Sequence, residues 1–320
     1  VAGEPLRVIV DGWPEPPGDT ILARRRHAQQ HQDDLRRALM LEPRGHADMY
    51  GCLPMSPVTD DGDVGALFLH NDGFSTMCGH GIIGLVTVGL ERGLLPDQDV
   101  LAIDTPAGRV TARAERGADG RVGRVSFENV PSFLCERDLV VDAGALGKLR
   151  CDIGFGGAFY AYVDAEALGL ELVPEQIGRI IECGMTIKRA VMDQYTIRHP
   201  DGDSELEFLY GTIFFSPAVG DAHSRNVCVF AEGEVDRSPT GTGVSGRVAL
   251  LHARGELEPG EWITIESLIG TSFDVQVART TNCGSLPAVV PEVAGTAHLT
   301  GRHEFWIDPD DPLRAGLLLR

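Results

Sequence analysis

Apolar positions along this chain switch repeatedly between the two-residue spacing of strands and the three- and four-residue spacing of helices. Val8-Ile9-Val10 predicts a short strand, followed by the turn-rich stretch DGWPEPPGD at 11–19. Residues 29–41, QQHQDDLRRALML, carry helical periodicity that ends before Pro43. The polar stretch at 42–51 reads as a loop. Beyond Cys78 the pattern predicts a helix of about four turns, closed at Gly93 and followed by Pro96. Short β-rich runs follow at 100–104, 109–114 and 123–130.

A second set repeats the plan. Residues 151–165 predict a buried strand with tolerated glycines, and 174–194 a helix opened by Pro174. The runs 206–215 and 226–231 predict strands leading into a second helix, and 261–267 with 272–278 predict a strand pair. HEFWID at 303–308 is strand-like, so the last residues are expected to return and complete the first half.

The two sets are related by a constant offset of 162 residues, which carries Cys78-Gly79-His80-Gly81 onto Thr240-Gly241-Thr242-Gly243 and Gly108 onto Gly270. Six of the 17 positions in 78–94 are identical in 240–256, and the shared offset through the following strands makes duplication the simpler reading. A two-fold α/β architecture follows.

Composition narrows the function. With 320 residues the chain has room for two cores. A formal net charge of -19 disfavours nucleic acid, whose phosphates are met by clustered Lys and Arg. No apolar run approaches the ~18 residues of a membrane span, and no leader-like segment opens the sequence, so a cytoplasmic location without membrane contact is expected. Seven scattered cysteines form neither a disulfide framework nor a zinc pattern, which suggests a reducing compartment. Among them, Cys78 alone stands at a glycine-rich turn opening a helix.

Two helices that start in glycine-rich loops leave backbone N–H groups free to hold a small carboxylate. A thiol at such a start is expected to have a lowered pKa and to act as base or nucleophile. Gly-His-Gly alone is equally compatible with a tight helix entry; its pairing with the second copy favours chemistry. Asp236, before Ser238-Pro239, is either a turn residue or the partner of a substrate ammonium. His223 is either structural or part of the site.

MCGHG at 77–81 and DRSPTGTG at 236–243 resemble the proline racemase superfamily. So do GEPLRV at 3–8, EPRGHADMYG at 42–51, GGAFYA at 156–161, FLYGTI at 208–213 and the tail at 310–320. The resemblance implies two pseudo-symmetric domains like those of diaminopimelate epimerase, each a curved sheet around a central helix, with the site in the cleft between them and with no metal and no organic cofactor. The expected division is 1–130 plus 302–320, carrying Cys78, and 131–301, carrying Asp236 and Thr240. It implies that Cys78 accepts the α-proton of an imino acid. Gly79, His80, Gly241 and Thr242 would contact the substrate, Asp236 would bind its ring nitrogen, and His223 matches a further site position. The racemases carry cysteine at both catalytic positions, whereas here the second is Thr240. A Cys/Thr pair resembles the branch that dehydrates trans-3-hydroxy-L-proline, so a cofactor-independent lyase, homodimeric by analogy, is the expected activity. Two alternatives stay open: a racemase or hydroxyproline 2-epimerase, and a non-catalytic imino-acid-binding protein.

Overall fold

The repeat extends from sequence into topology. The structure is a computed structural model that describes residues 1–202 and 204–319. Its first half runs β1 (Arg7–Val8), α1 (Ile21–His31), α2 (Asp33–Met40), β2 (Gly51–Met55), β3 (Val64–Leu69) and β4 (Phe74–Ser75). It continues through α3 (Gly79–Glu91), β5 (Val100–Thr105), β6 (Gly108–Arg116) and β7 (Val122–Glu128). A hairpin of β8 (Phe133–Asp142) and β9 (Lys148–Phe155) joins it to the second half. There follow β10 (Phe159–Asp164), α4 (Ile177–Gln194), β11 (Leu209–Ser216), β12 (Ser224–Phe230) and β13 (Glu234–Val235). The chain closes with α5 (Gly241–Arg254), β14 (Ile263–Glu266), β15 (Ser272–Cys283) and β16 (Leu286–Gly295).

Each half has the same wiring. β1 pairs parallel with β2, and β10 with β11. β3 and β12 then pair antiparallel with the preceding strand, and parallel with the strand that follows the central helix. A β5–β6–β7 meander in one half answers β14–β15–β16 in the other. The halves fuse where β7 pairs antiparallel with β16, Phe127 opposite Val293, giving one continuous curved sheet. Helices α3 and α5 are buried over most of their length, chiefly against the strands of their own halves, as core helices are. Even Arg247 of α5 is buried, its guanidinium 4.0 Å above the Phe215 ring.

Three sequence expectations are corrected. The helix expected at 29–41 starts at Ile21 and breaks at Gln32, whose side chain is tied to the preceding turn: it accepts from Trp13 Nε1 at 2.9 Å and donates to the Pro14 carbonyl at 2.9 Å. The strand expected over 151–165 is a hairpin, β9 turning into β10 through Gly156-Gly157, with Gly157 at φ +104°. HEFWID forms no strand, and Trp306 within it is 83% exposed. The tail nevertheless reaches the first half: Leu317 bridges Glu42, and Arg44 donates to the carbonyls of Leu313 and Arg314. No helix among the described residues is long and apolar enough to cross a membrane.

Candidate active site

The N-termini of α3 and α5 meet head to head. A Cβ on Gly79 would lie 2.5 Å from the Cα of Gly241, and one on Gly241 would press equally on Gly79. Only glycine permits this approach at either position. Between the helix starts is a narrow cavity, lined by Cys78, Gly79 and His80 from one half and by Asp236, Thr240, Gly241 and Thr242 from the other. The opening N–H groups of a helix have no intrahelical acceptor. That of Gly81 is taken by Cys78 Sγ, whereas those of Gly79, His80, Gly241 and Thr242 have no acceptor among the described residues and face the gap between the helix starts.

Cys78 caps its own helix: its backbone is extended, and Sγ accepts from Gly81 N at 3.2 Å. His80 Nδ1 lies 3.3 Å from the same sulfur and 3.9 Å from Asp236 Oδ2. Burial holds the His80 imidazole neutral, its pKa lowered to about 3. The expectation of an acidified Cys78 is corrected: burial raises this thiol well above its ordinary value. The Gly81 N–H and the Tyr50 hydroxyl oppose that rise, whereas the Asp236 charge adds to it. Asp236 is buried and its own pKa is raised by desolvation, against hydrogen bonds from Ser238, whose N–H donates to Oδ1 at 2.8 Å.

Thr240 departs from its counterpart. Its backbone lies at φ +68°, ψ +103°, a rare place for a β-branched residue, and its side chain caps nothing. A Cβ on Gly81 would meet Cys78 Sγ at 3.1 Å; on the equivalent Gly243 it would meet the Thr240 Cγ2 methyl at 3.2 Å. Relative to its helix, then, a methyl stands where the first copy has its sulfur. The Thr240 hydroxyl is buried without a well-formed hydrogen bond among the described residues, although it lies close enough to favour ionised Asp236 and Cys228.

His223 is not brought to this site. It precedes β12 at the end remote from Phe230, which lines the cavity, and so lies about 20 Å away at the rise of a strand. Its backbone bonds to Thr264, and its charged neighbours are Arg247, Glu256 and Glu261. Conversely, pattern reading missed Tyr50, Tyr160 and Tyr210, which wall the cavity. Tyr160 fixes Thr242, hydroxyl to hydroxyl, at 2.7 Å. Each of these tyrosines lies in a segment that the family resemblance had already marked, at 42–51, 156–161 and 208–213.

The family model described as proline racemase matches residues 1–318. A relative from Colwellia psychrerythraea named trans-3-hydroxy-L-proline dehydratase is 48% identical, covering 99% of this chain and 90% of its own length. One from Burkholderia multivorans named 3-hydroxyproline 2-epimerase is 44% identical, covering 99% and 96%. The crystal structure of a hydroxyproline epimerase from Agrobacterium vitis, with bound trans-4-hydroxy-L-proline, superposes at a TM-score of 0.93 with 32% identity, covering 99% of this chain and 93% of that one. Paired glycine-rich helix starts, duplicated topology and a match along nearly the whole length all agree: the chain belongs to the proline racemase family.

Proposed function

We propose that this protein dehydrates trans-3-hydroxy-L-proline to pyrroline-2-carboxylate and water. The observation that carries the reading is the inequality of the two walls: a thiol on one side of the cavity, a threonine on the other. The names borne by several relatives at 43–48% identity support it.

The substrate carboxylate is held by the helix-terminal N–H groups, which also stabilise charge spreading onto it as the α-proton leaves. Asp236 takes the ring ammonium. Because the Asp236 charge is one cause of the raised Cys78 pKa, an arriving cation cancels it and lets the thiolate form where it is needed. Cys78 then removes the α-proton. In the trans isomer the 3-hydroxyl shares a ring face with that proton, so elimination is syn and proceeds on the Cys78 side. Across the ring, a threonine that does not ionise near neutral pH returns no proton to the opposite face.

The test is to supply trans-3-hydroxy-L-proline and assay the cyclic imine, with Cys78→Ser as control. Imine formation that Cys78→Ser abolishes is expected; an undiminished Cys78→Ser rate would refute the base assignment. The epimerase reading is favoured by the Burkholderia multivorans relative. Rapid conversion of L-proline to its D-isomer, or α-inversion of the hydroxyproline faster than elimination, would establish that reading instead.

A further inference from the structure

Elimination releases an oxygen that needs a proton, and a second group on the same ring face can supply it while Cys78 still holds the α-proton. The geometry points to Tyr50 as the acid that protonates the departing 3-hydroxyl, an inference that rests on the dehydratase reading above.

Tyr50 is fully buried and lines the cavity beside Cys78. Its ring meets His80 edge-on, centroids 4.7 Å apart. Its hydroxyl is held by Ser75 Oγ at 2.6 Å and lies 3.4 Å from the Tyr210 hydroxyl. The same phenol lies close enough to the Cys78 sulfur to favour its thiolate, so donor and base adjoin. Tyr50 and Ser75 belong to the first half, opposite Thr240, which puts acid and base on the single face that syn elimination uses.

The other polar groups of the cavity fit the role less well. His80 is a neutral imidazole near neutral pH, whose N–H is a weaker acid than a phenol, and Asp236 is committed to the ammonium. Burial raises the Tyr50 pKa well above its ordinary value, so the phenol is fully protonated in the resting enzyme. Hydroxide is far more basic than any phenolate, and transfer to it remains downhill.

The step balances. The Cα–H bond breaks and its proton joins the Cys78 thiolate; the C3–O bond breaks as the ring gains its double bond. The departing oxygen takes the Tyr50 proton and leaves as water. Cys78 then returns its proton to the adjoining Tyr50 phenolate. Both groups are restored without any co-reactant.

Tyr50→Phe removes the donor and keeps the ring. Dehydration is expected to fall about 100- to 10,000-fold with KM little changed. Proton abstraction should survive within about tenfold, so substrate recovered from deuterated water carries α-deuterium with its configuration retained. Trans-3-fluoro-L-proline supplies the decisive comparison, because fluoride leaves without being protonated. Fluoride release by Tyr50→Phe should stay within about tenfold of wild type. Ser75→Ala, which loosens the phenol without removing it, should lower dehydration about tenfold and leave fluoride release unchanged. Parallel loss of dehydration, exchange and fluoride release in both variants would reduce Tyr50 to a structural part and overturn the proposal. Wild-type dehydration by Tyr50→Phe would overturn it while leaving the dehydratase reading intact. A wild-type enzyme inactive on the hydroxyproline removes both.

Discussion

Thr240→Cys tests the reading of the cleft through stability and chemistry together. Two features of Thr240 cost folding free energy. Its β-branched side chain sits at φ +68°, and such strain is worth about 1–3 kcal/mol. Its buried hydroxyl lacks a well-formed hydrogen bond among the described residues, worth up to about 1–3 kcal/mol more. Cysteine is unbranched at Cβ and has no hydroxyl, so it relieves part of the first cost and most of the second. A net gain of about 2 kcal/mol, at roughly 2 °C per kcal/mol for a chain of this size, raises Tm by about 4 °C. In the rotamer that follows the Cγ2 methyl, the sulfur lies over Gly243 much as Cys78 Sγ lies over Gly81.

The chemical consequence follows. A thiol on the second face can protonate the carbanion before the hydroxyl departs, producing the α-inverted isomer, cis-3-hydroxy-D-proline. Inversion should rise at least about 100-fold over wild type, the lower end of what a positioned acid contributes. Chiral chromatography of the recovered amino acid reads inversion, and incorporation of solvent deuterium at the inverted centre confirms the route. A variant that folds, binds and dehydrates yet never inverts would refute the two-face account. A lowered Tm would refute the claim that Thr240 is held under strain.

Three further outcomes follow from the same geometry. Gly241→Ala places a methyl against Gly79, which costs about 1–3 kcal/mol; holding the helix starts apart should lower kcat/KM at least about tenfold, read by steady-state kinetics and thermal melts. Asp236→Asn should abolish tight binding yet stabilise the empty protein. The raised Asp236 pKa means the folded state holds a proton that the unfolded state has lost above the ordinary carboxylate range. Wild-type stability therefore falls as pH rises through that window, and the Tm advantage of the variant should grow from pH 4 upward; a constant difference would show that Asp236 is not destabilised by burial. Because His80 is held at about 3 and Cys78 is raised, kcat/KM should climb with pH across the neutral range without a histidine limb. An inflection near pH 6.5 that disappears in His80→Gln would contradict this.

The offset of 162 residues proved to be a structural repeat, since Gly79 opens α3 and Gly241 opens α5. It was legible because both helices must open on glycines to touch and be largely apolar to be buried. Helix α1 was hidden because its buried face, Ile21, Arg25 and Ala28, carries a cation where the pattern demands an apolar residue. Arg25 is accommodated there by donating to the Phe74 carbonyl at 2.9 and 2.6 Å through Nε and Nη2, a long-range compensation that no local pattern announces. HEFWID shows the reverse error: alternation predicts a strand, but a strand forms only where a sheet edge receives it. Cys78, Asp236 and Thr240 were visible as a constellation, because the motifs carry them. The Cys78 pKa was read with the wrong sign, since local helix geometry argues for thiolate and only the packed cavity reveals the larger cost of desolvation.

The break in symmetry at the cleft is a matter of backbone as well as side chain. Cys78 has an extended conformation at φ -147° and its sulfur caps the helix it begins. Thr240 has φ of the opposite sign and leaves its helix uncapped. If the second copy had merely lost its thiol, a small polar residue in the extended conformation would have sufficed, since serine or threonine caps a helix from there at least as well as cysteine does. Instead the chain holds a strained rotation that turns a methyl toward the place of the sulfur and withdraws the hydroxyl toward Asp236 and Cys228. That withdrawal keeps a potential proton donor off the second face. Strain that persists in a buried, otherwise well-packed cleft is most simply explained by such a role, and it ties the proposed dehydratase chemistry to the conformation of one residue.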